Sequence, residues 1–235
     1  NLSDGSNNTA VGFCALQATN GSHNTAVGMC AAIALTTGGE NIAIGKESFK
    51  STVTGCINTV VGTNAMGSGV NLCGNVAVGY SALTTNTCGC YNTAIGFNSM
   101  KCNASGNQNT ASGSYSLMKT TSGSYNTAFG WSAGEAVTTG IRNTLIGGSA
   151  GDALTDADNN TALGYAALGA DTKGNRSVAI GFQALATQNF TSSTDSNNVA
   201  IGYDSGYSVT TGTLNTLIGA NAGDNITTGG GNTAI

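Results

Sequence analysis

A pentapeptide of the form NTAVG recurs along the whole chain, with its first residue at Asn8, Asn24, Asn41, Asn58, Asn75, Asn92, Asn109, Asn126, Asn143, Asn160, Ser177, Asn198, Asn215 and Asn232. The interval is 16, then 17 nine times, then 21, then 17 twice, which makes thirteen complete units and the start of a fourteenth. Self-similarity at a fixed short period means that each unit is one small structural element completed by its neighbours. A unit of 17 residues is too short for a two-helix repeat, which needs about 33. It carries instead the β-branched residues and glycines of strand and turn. The expected fold is all-β, a parallel β-solenoid of thirteen coils forming a single repeat domain over residues 1–235.

Numbered from its Asn, each complete unit has Gly at position 5 and Ala or Ser at position 8. Position 2 is Thr, Val or Ile throughout, and position 4 is Val, Ile, Leu or Phe except at Ser112. A further Gly stands three residues before the Asn in eleven of fourteen units, so 24 of the 36 glycines belong to two repeat positions. NTAVG then reads as a short strand whose alternate side chains face opposite ways, with a turn at the Gly. A second strand is expected over positions 7 to 10, and TTG-like stretches such as 138–140 return the chain. Positions 2 and 4 are expected to face the coil's own core, leaving the small residues at positions 3 and 5 for close approach by another backbone; the alternative is that these small residues narrow the core of the single chain. Coils stacked at roughly 4.8 Å would make a rod on the order of 60 Å. The long unit from Ser177 inserts four residues, read as a surface loop near 187–196.

Two positions co-vary in a way that supports stacking independently of the motif. Position 9 is large and apolar in eight units (Leu16, Phe49, Met66, Leu83, Met100, Leu117, Leu168, Leu185) and small in five (Ala32, Gly134, Gly151, Gly206, Gly223). Those same five carry a large apolar residue at position 12, namely Leu35, Val137, Leu154, Val209 and Ile226; elsewhere position 12 is polar or Gly. Close packing penalises both a void and an extra side chain, so a single core slot is filled from either side of a turn.

Composition now excludes several functions. Charged residues are 8% of the chain and the net charge is −4. The seven basic residues are scattered, giving no footprint for nucleic acid. No apolar run approaches the roughly 20 residues of a membrane helix. Gly lacks a three-residue period and Pro is absent, which excludes collagen. The opening NLSDGSNNTA carries no basic region of a signal peptide, and the chain reads as a fragment of something longer.

The unit NTAVG-x-x-A-L, and especially SVAIGFQAL from Ser177 to Leu185, resembles the head repeat of the YadA-type trimeric autotransporter adhesins. It is more similar still to the NTAVG arrays in fibre and spike proteins of phages and large algal viruses. The resemblance covers essentially the whole chain, and repetition is what makes the motif specific. It implies a left-handed parallel β-roll, three chains around a common axis, and an adhesive role on a cell or virion surface. YadA heads use a shorter coil than the one here, so turn geometry and interchain contacts are expected to differ. On this resemblance, positions 3 and 5 are expected to face a trimer axis.

Stacked equivalent positions lie within disulfide range. Cys14 and Cys30 share position 7 of successive coils, and Cys56, Cys73 and Cys90 share position 16 of three. Cys14 with Cys30, and Cys73 with either Cys56 or Cys90, are candidate rungs; Cys88 and Cys102 make a weaker pair, and free thiols filling small sites are the alternative. Position 6 is aromatic at Phe13, Tyr80, Phe97, Trp131, Tyr165, Phe182 and Tyr203, with the last three on consecutive coils. Such a row either packs at a corner or between chains, or forms a stacking surface for a glycan. N-x-Ser/Thr acceptors for glycosylation occur at Asn1, Asn7, Asn20, Asn103, Asn159, Asn175, Asn189 and Asn225.

Catalysis finds little support: His23 is the one histidine and reads as a turn residue without a spaced partner. Asp156 and Asp158 lack the Gly and distal Glu of a calcium loop. No catalytic, cofactor or metal residues are therefore expected, and the chain reads as a non-enzyme. The expected partners are two further copies of itself and a host glycan or receptor, with no nucleic acid and no membrane insertion. An ice-binding or other surface-binding solenoid, resting on the Thr column at position 2, is the competing function.

Overall fold

The structure is a computed structural model in which residues 5–235 are described. It is a parallel β-solenoid, and no helix occurs among the described residues. The chain divides into two compact units, Asn1–Tyr115 with Thr120–Ser122, and Ser116–Lys119 with Gly123–Ile235. The first holds strands β1 (Thr9–Val11), β2 (Thr25–Val27), β3 (Ile42–Ile44), β4 (Thr59–Val61), β5 (Val76–Val78), β6 (Thr93–Ile95) and β7 (Thr110–Ser112). The second holds β8 (Thr127–Phe129), β9 (Thr144–Ile146), β10 (Thr161–Leu163), β11 (Gly174–Asn175), β12 (Val178–Ile180), β13 (Thr194–Asp195), β14 (Val199–Ile201), β15 (Thr216–Ile218) and β16 (Thr233–Ala234). Within each unit the strands of successive coils pair in parallel and in register, β10 with β12 and β12 with β14 across the short β11 and β13, so that Thr93 meets Thr110 and Ala162 meets Ala179.

Each three-residue strand covers positions 2 to 4, and its burial reverses the expected facing. Position 3 is the core residue: Ala26, Ala43, Val60, Ala77, Ala94 and Ala111 in the first unit, and Ala128, Leu145, Ala162, Ala179, Ala200 and Leu217 in the second, are buried. Positions 2 and 4 point outward. The physical reason is the narrowness of the coil. Position 9 already sends a Leu, Met or Phe inward from the opposite wall, and only a small residue fits against it. Position 5 does admit close backbone approach, but the backbone is that of the next coil of the same chain. A Cβ on Gly96, whose φ is 132°, would stand 2.6 Å from the carbonyl oxygen of Gly113.

No second strand forms over positions 7 to 10. Residues at positions 7 and 9 are left-handed, for example Glu47 (φ 56°) and Phe49 (φ 52°), and so is the residue before each Asn, as at Ile57 (φ 56°). Left-handed backbone costs an L-residue about 1–2 kcal/mol. It recurs because these turns still hydrogen-bond coil to coil: the Leu83 N–H donates to Ser99 at 3.1 Å and the Asn98 N–H to Tyr80 at 3.0 Å.

The core slot is filled as the co-variation predicts. Leu16, Phe49, Met66, Leu83 and Met100 from position 9, and Leu35 from position 12, are buried in the first unit; Leu117, Leu168 and Leu185, with Val137, Leu154 and Val209, fill the second. A third position joins this exchange. Where position 3 is enlarged to Leu145, a Cβ on Gly134 or Gly151 would come within 2.7 or 2.8 Å of its methyls; Leu217 meets Gly206 and Gly223 in the same way. In some coils with a large position 9, a polar position 12 caps the return turn. Asn86 accepts from the Gly89 N–H at 2.9 Å and donates to the Gly89 carbonyl at 2.8 Å.

In the repeats from Asn24 to Asn215 the opening Asn is buried, and it both closes its own coil and joins the next. The Asn41 amide donates to the Gly55 carbonyl at 2.8 Å, while its Oδ1 accepts from the Asn58 N–H and side-chain amide, both at 3.0 Å. Ser177 interrupts this column, and Gln188 supplies the missing amide. Gln188 Oε1 accepts from Asn198 Nδ2 at 2.8 Å, and its Nε2 donates to Ser177 Oγ at 3.0 Å and to the buried Asp171 carboxyl at 2.6 Å. The insertion is thus only partly a surface loop. Thr191, Ser192 and Ser193 are exposed, but Gln188 and Phe190 are buried, and β11 pairs with β13 beside them.

Candidate binding surface

Because strand side chains alternate, burying position 3 puts positions 2 and 4 together on the outside. The result is a column of Thr and Val beside a column of aliphatics, with Ile44 and Ile95 in the first unit and Phe129, Leu163, Ile201 and Ile218 in the second all exposed. Just past the Gly turn, the aromatics of position 6 add a third exposed column. Phe13, Tyr80, Phe97, Trp131, Tyr165, Phe182 and Tyr203 all lie on the surface. A monomer rarely exposes this many large apolar side chains on one face of each unit without using them.

The rings of the aromatic column mostly stack on one another. Tyr80 lies on Phe97 with centroids 5.4 Å apart, and Phe97 meets Tyr115 edge-on at 5.4 Å. In the second unit Tyr165, Phe182 and Tyr203 form a continuous stack with spacings of 5.7 and 5.3 Å. This changes which of them suit a sugar, since binding over a ring needs an open face. Phe182 has both faces covered, and Tyr165 and Tyr203 have one each. The flank of Tyr165 away from Phe182 lies against Gly148, where a Cβ would come within 3.3 Å of the ring. Trp131, one coil before Gly148, is 58% exposed and enters no ring pair found among the described residues. Compared with known proteins, the chain matches no family model and no curated protein.

The other sequence candidates are dispersed. All seven cysteines, Cys14, Cys30, Cys56, Cys73, Cys88, Cys90 and Cys102, stand as free thiols. A sulfur–sulfur contact joins one pair among the described residues, Cys56 and Cys73 at 2.7 Å. Cys88 instead points its thiol at the Ala104 carbonyl, 3.8 Å away. His23 is exposed in its turn and pairs with the Asn7 amide at 3.1 Å. Asp156 lies 3.7 Å from Lys173 on the surface, and Asp158 accepts from the Ile141 N–H at 2.8 Å. Among the described residues no three His, Cys, Asp or Glu side chains gather into a metal-binding group, and no pocket is present. Of the glycosylation acceptors, Asn103 is buried and bonded to Gly106, so its amide is closed to modification; Asn7, Asn20, Asn159, Asn189 and Asn225 are exposed; Asn1 lies outside the described residues.

Local electrostatics are mild. Burial holds the Asp152 carboxyl above its ordinary range, partly offset by a hydrogen bond from Ser149. Glu47 is lowered by its hydrogen bond and ion pairing with Lys50. The outward strip escapes a sequence reading that assigns large residues to the core. The signal that finds it is the exchange between positions 9 and 12, which fills the slot and leaves no room for position 4.

Proposed function

We propose that this chain is a structural and adhesive segment of an extracellular or virion-surface fibre, which associates as a homotrimer and presents its outward sheet face for attachment to a host glycan or receptor. The observation that carries the reading is the exposed strip of positions 2, 4 and 6. It is a periodic, nearly uncharged surface suited to an extended partner rather than to a small molecule in a pocket. Part of the aliphatic column is what neighbouring copies would cover, in place of the small residues of positions 3 and 5. Trp131, with its ring faces unstacked, is the first candidate for a sugar, and Tyr203, stacked on one face only, follows. The reading assigns no catalytic step, metal or cofactor.

The test is sedimentation equilibrium together with a glycan array. A particle of three 23.1 kDa chains that retains a glycan supports the proposal, with Trp131→Ala weakening retention at least tenfold and Phe182→Ala leaving it unchanged. A monomer that holds no glycan sinks it. A second reading, ice binding, is favoured by the same facing. Thr25 with Val27, and Thr93 with Ile95, share the outward side of their strands at a regular coil spacing. Thermal hysteresis in the freezing solution separates the two.

A further inference from the structure

Position 16 has a recurring backbone bond. Its N–H donates to the side chain of position 16 in the following coil, as Cys90 does to Asn107 at 2.8 Å and Ile141 to Asp158 at 2.8 Å. In the cysteine column this role falls to Cys90, whose sulfur accepts from the Cys73 N–H at 3.4 Å. One coil earlier the Cys56 N–H donates to the Leu72 carbonyl instead, at 2.9 Å, which leaves the Cys73 sulfur without that role, and it meets the Cys56 sulfur at 2.7 Å. Non-bonded heavy atoms settle at roughly 3.5–4.0 Å, so this pair is already well inside contact. The backbones of Cys56 and Cys73 form a parallel bridge, which sets their Cα atoms about 4.8 Å apart, within the range of roughly 4.4–6.8 Å that a disulfide spans. Both residues are half-buried.

We propose that Cys56 and Cys73 close into a disulfide that joins two successive coils, and that this is the one covalent rung the cysteine column forms. A small-molecule disulfide such as oxidised glutathione is the oxidant. The thiolate of one cysteine attacks it and releases one reduced thiol; the second thiolate then attacks the mixed disulfide and releases another. Two protein thiols become one S–S bond while one small disulfide becomes two thiols, so atoms and electrons balance. The hydrogen bond with Cys73, together with burial, pushes the Cys56 thiol up to about 11. Because each attack needs a thiolate, closure quickens as the pH rises.

The four methionines, Met29, Met66, Met100 and Met118, allow a decisive map. The intact chain is incubated with oxidised glutathione, its remaining thiols are blocked, and it is cleaved after methionine with cyanogen bromide. Fragments 30–66 and 67–100 are expected to stay joined until reductant is added. Oxidised protein should also melt several degrees above the reduced form. Cys56→Ser abolishes the join and Cys90→Ser preserves it. The proposal is overturned if the two fragments separate without reductant, if 67–100 is instead bonded within itself through Cys73 and Cys90, or if it is held to 101–118. The fragment map on the unmutated chain decides the matter even if a variant fails to fold.

Discussion

Thr52 and Thr120 sit at position 12 with buried hydroxyls that have no hydrogen-bond partner among the described residues. Their counterparts Asn86 and Asn103 spend the same position capping the return turn. Valine has the shape of threonine without the polar group, and an unpaired buried hydroxyl costs about 1–3 kcal/mol. Thr52→Val is therefore expected to stabilise the chain by about 1 kcal/mol in chemical denaturation, and a loss of stability would contradict this account. Left-handed backbone at positions 7 and 9 is hidden from the sequence because the residues there, Glu47, Gln183 or Phe49, announce no special conformation. The Gly at position 5 is legible, since it alone tolerates both its φ and the neighbouring carbonyl.

Among elements, the coil boundaries and the exchange between positions 9 and 12 are readable because each leaves a column in the sequence. The facing of the strand is not. Alanine at position 3 is equally compatible with a crowded core and with a close interface, and only the side chain opposite decides. Side-chain compensation for Ser177 is also invisible to a repeat reading, because Gln188 lies eleven residues away in the same coil. The structure assigns it four polar groups to satisfy at once, from Asp171, Ser177, Ser196 and Asn198, directly or through a neighbour. Gln188→Ala should cost about 2–4 kcal/mol, more than an ordinary surface change, because it strands buried polar atoms. Hydrogen exchange should localise the loss to the coils around β12 and β14; a global and uniform loss, or none, would argue against the compensation.

At the scale of the whole molecule, cohesion comes from backbone pairing, amide columns and small apolar side chains. The ion pairs found among the described residues, such as Lys50 with Glu47 and Lys119 with Glu135, are exposed. Exposed pairs contribute little and are screened by salt. The melting midpoint should therefore shift by no more than about 2 °C between dilute buffer and molar sodium chloride. A fall of ten degrees would mean that charge matters here far more than the geometry allows.

The packing of Leu145 into the spaces left by Gly134 and Gly151 bears on how such a chain can change length over generations. Loss or gain of one 17-residue unit by recombination preserves the buried amides at every seam, so it looks neutral from the motif alone. Yet removing the unit that begins at Asn143 would set Gly134 opposite Ala162, two small residues facing an empty space where a leucine had been. Units without this overlap can be copied or dropped freely; those with it are inherited together. The coils are alike in outline, but they are not interchangeable parts.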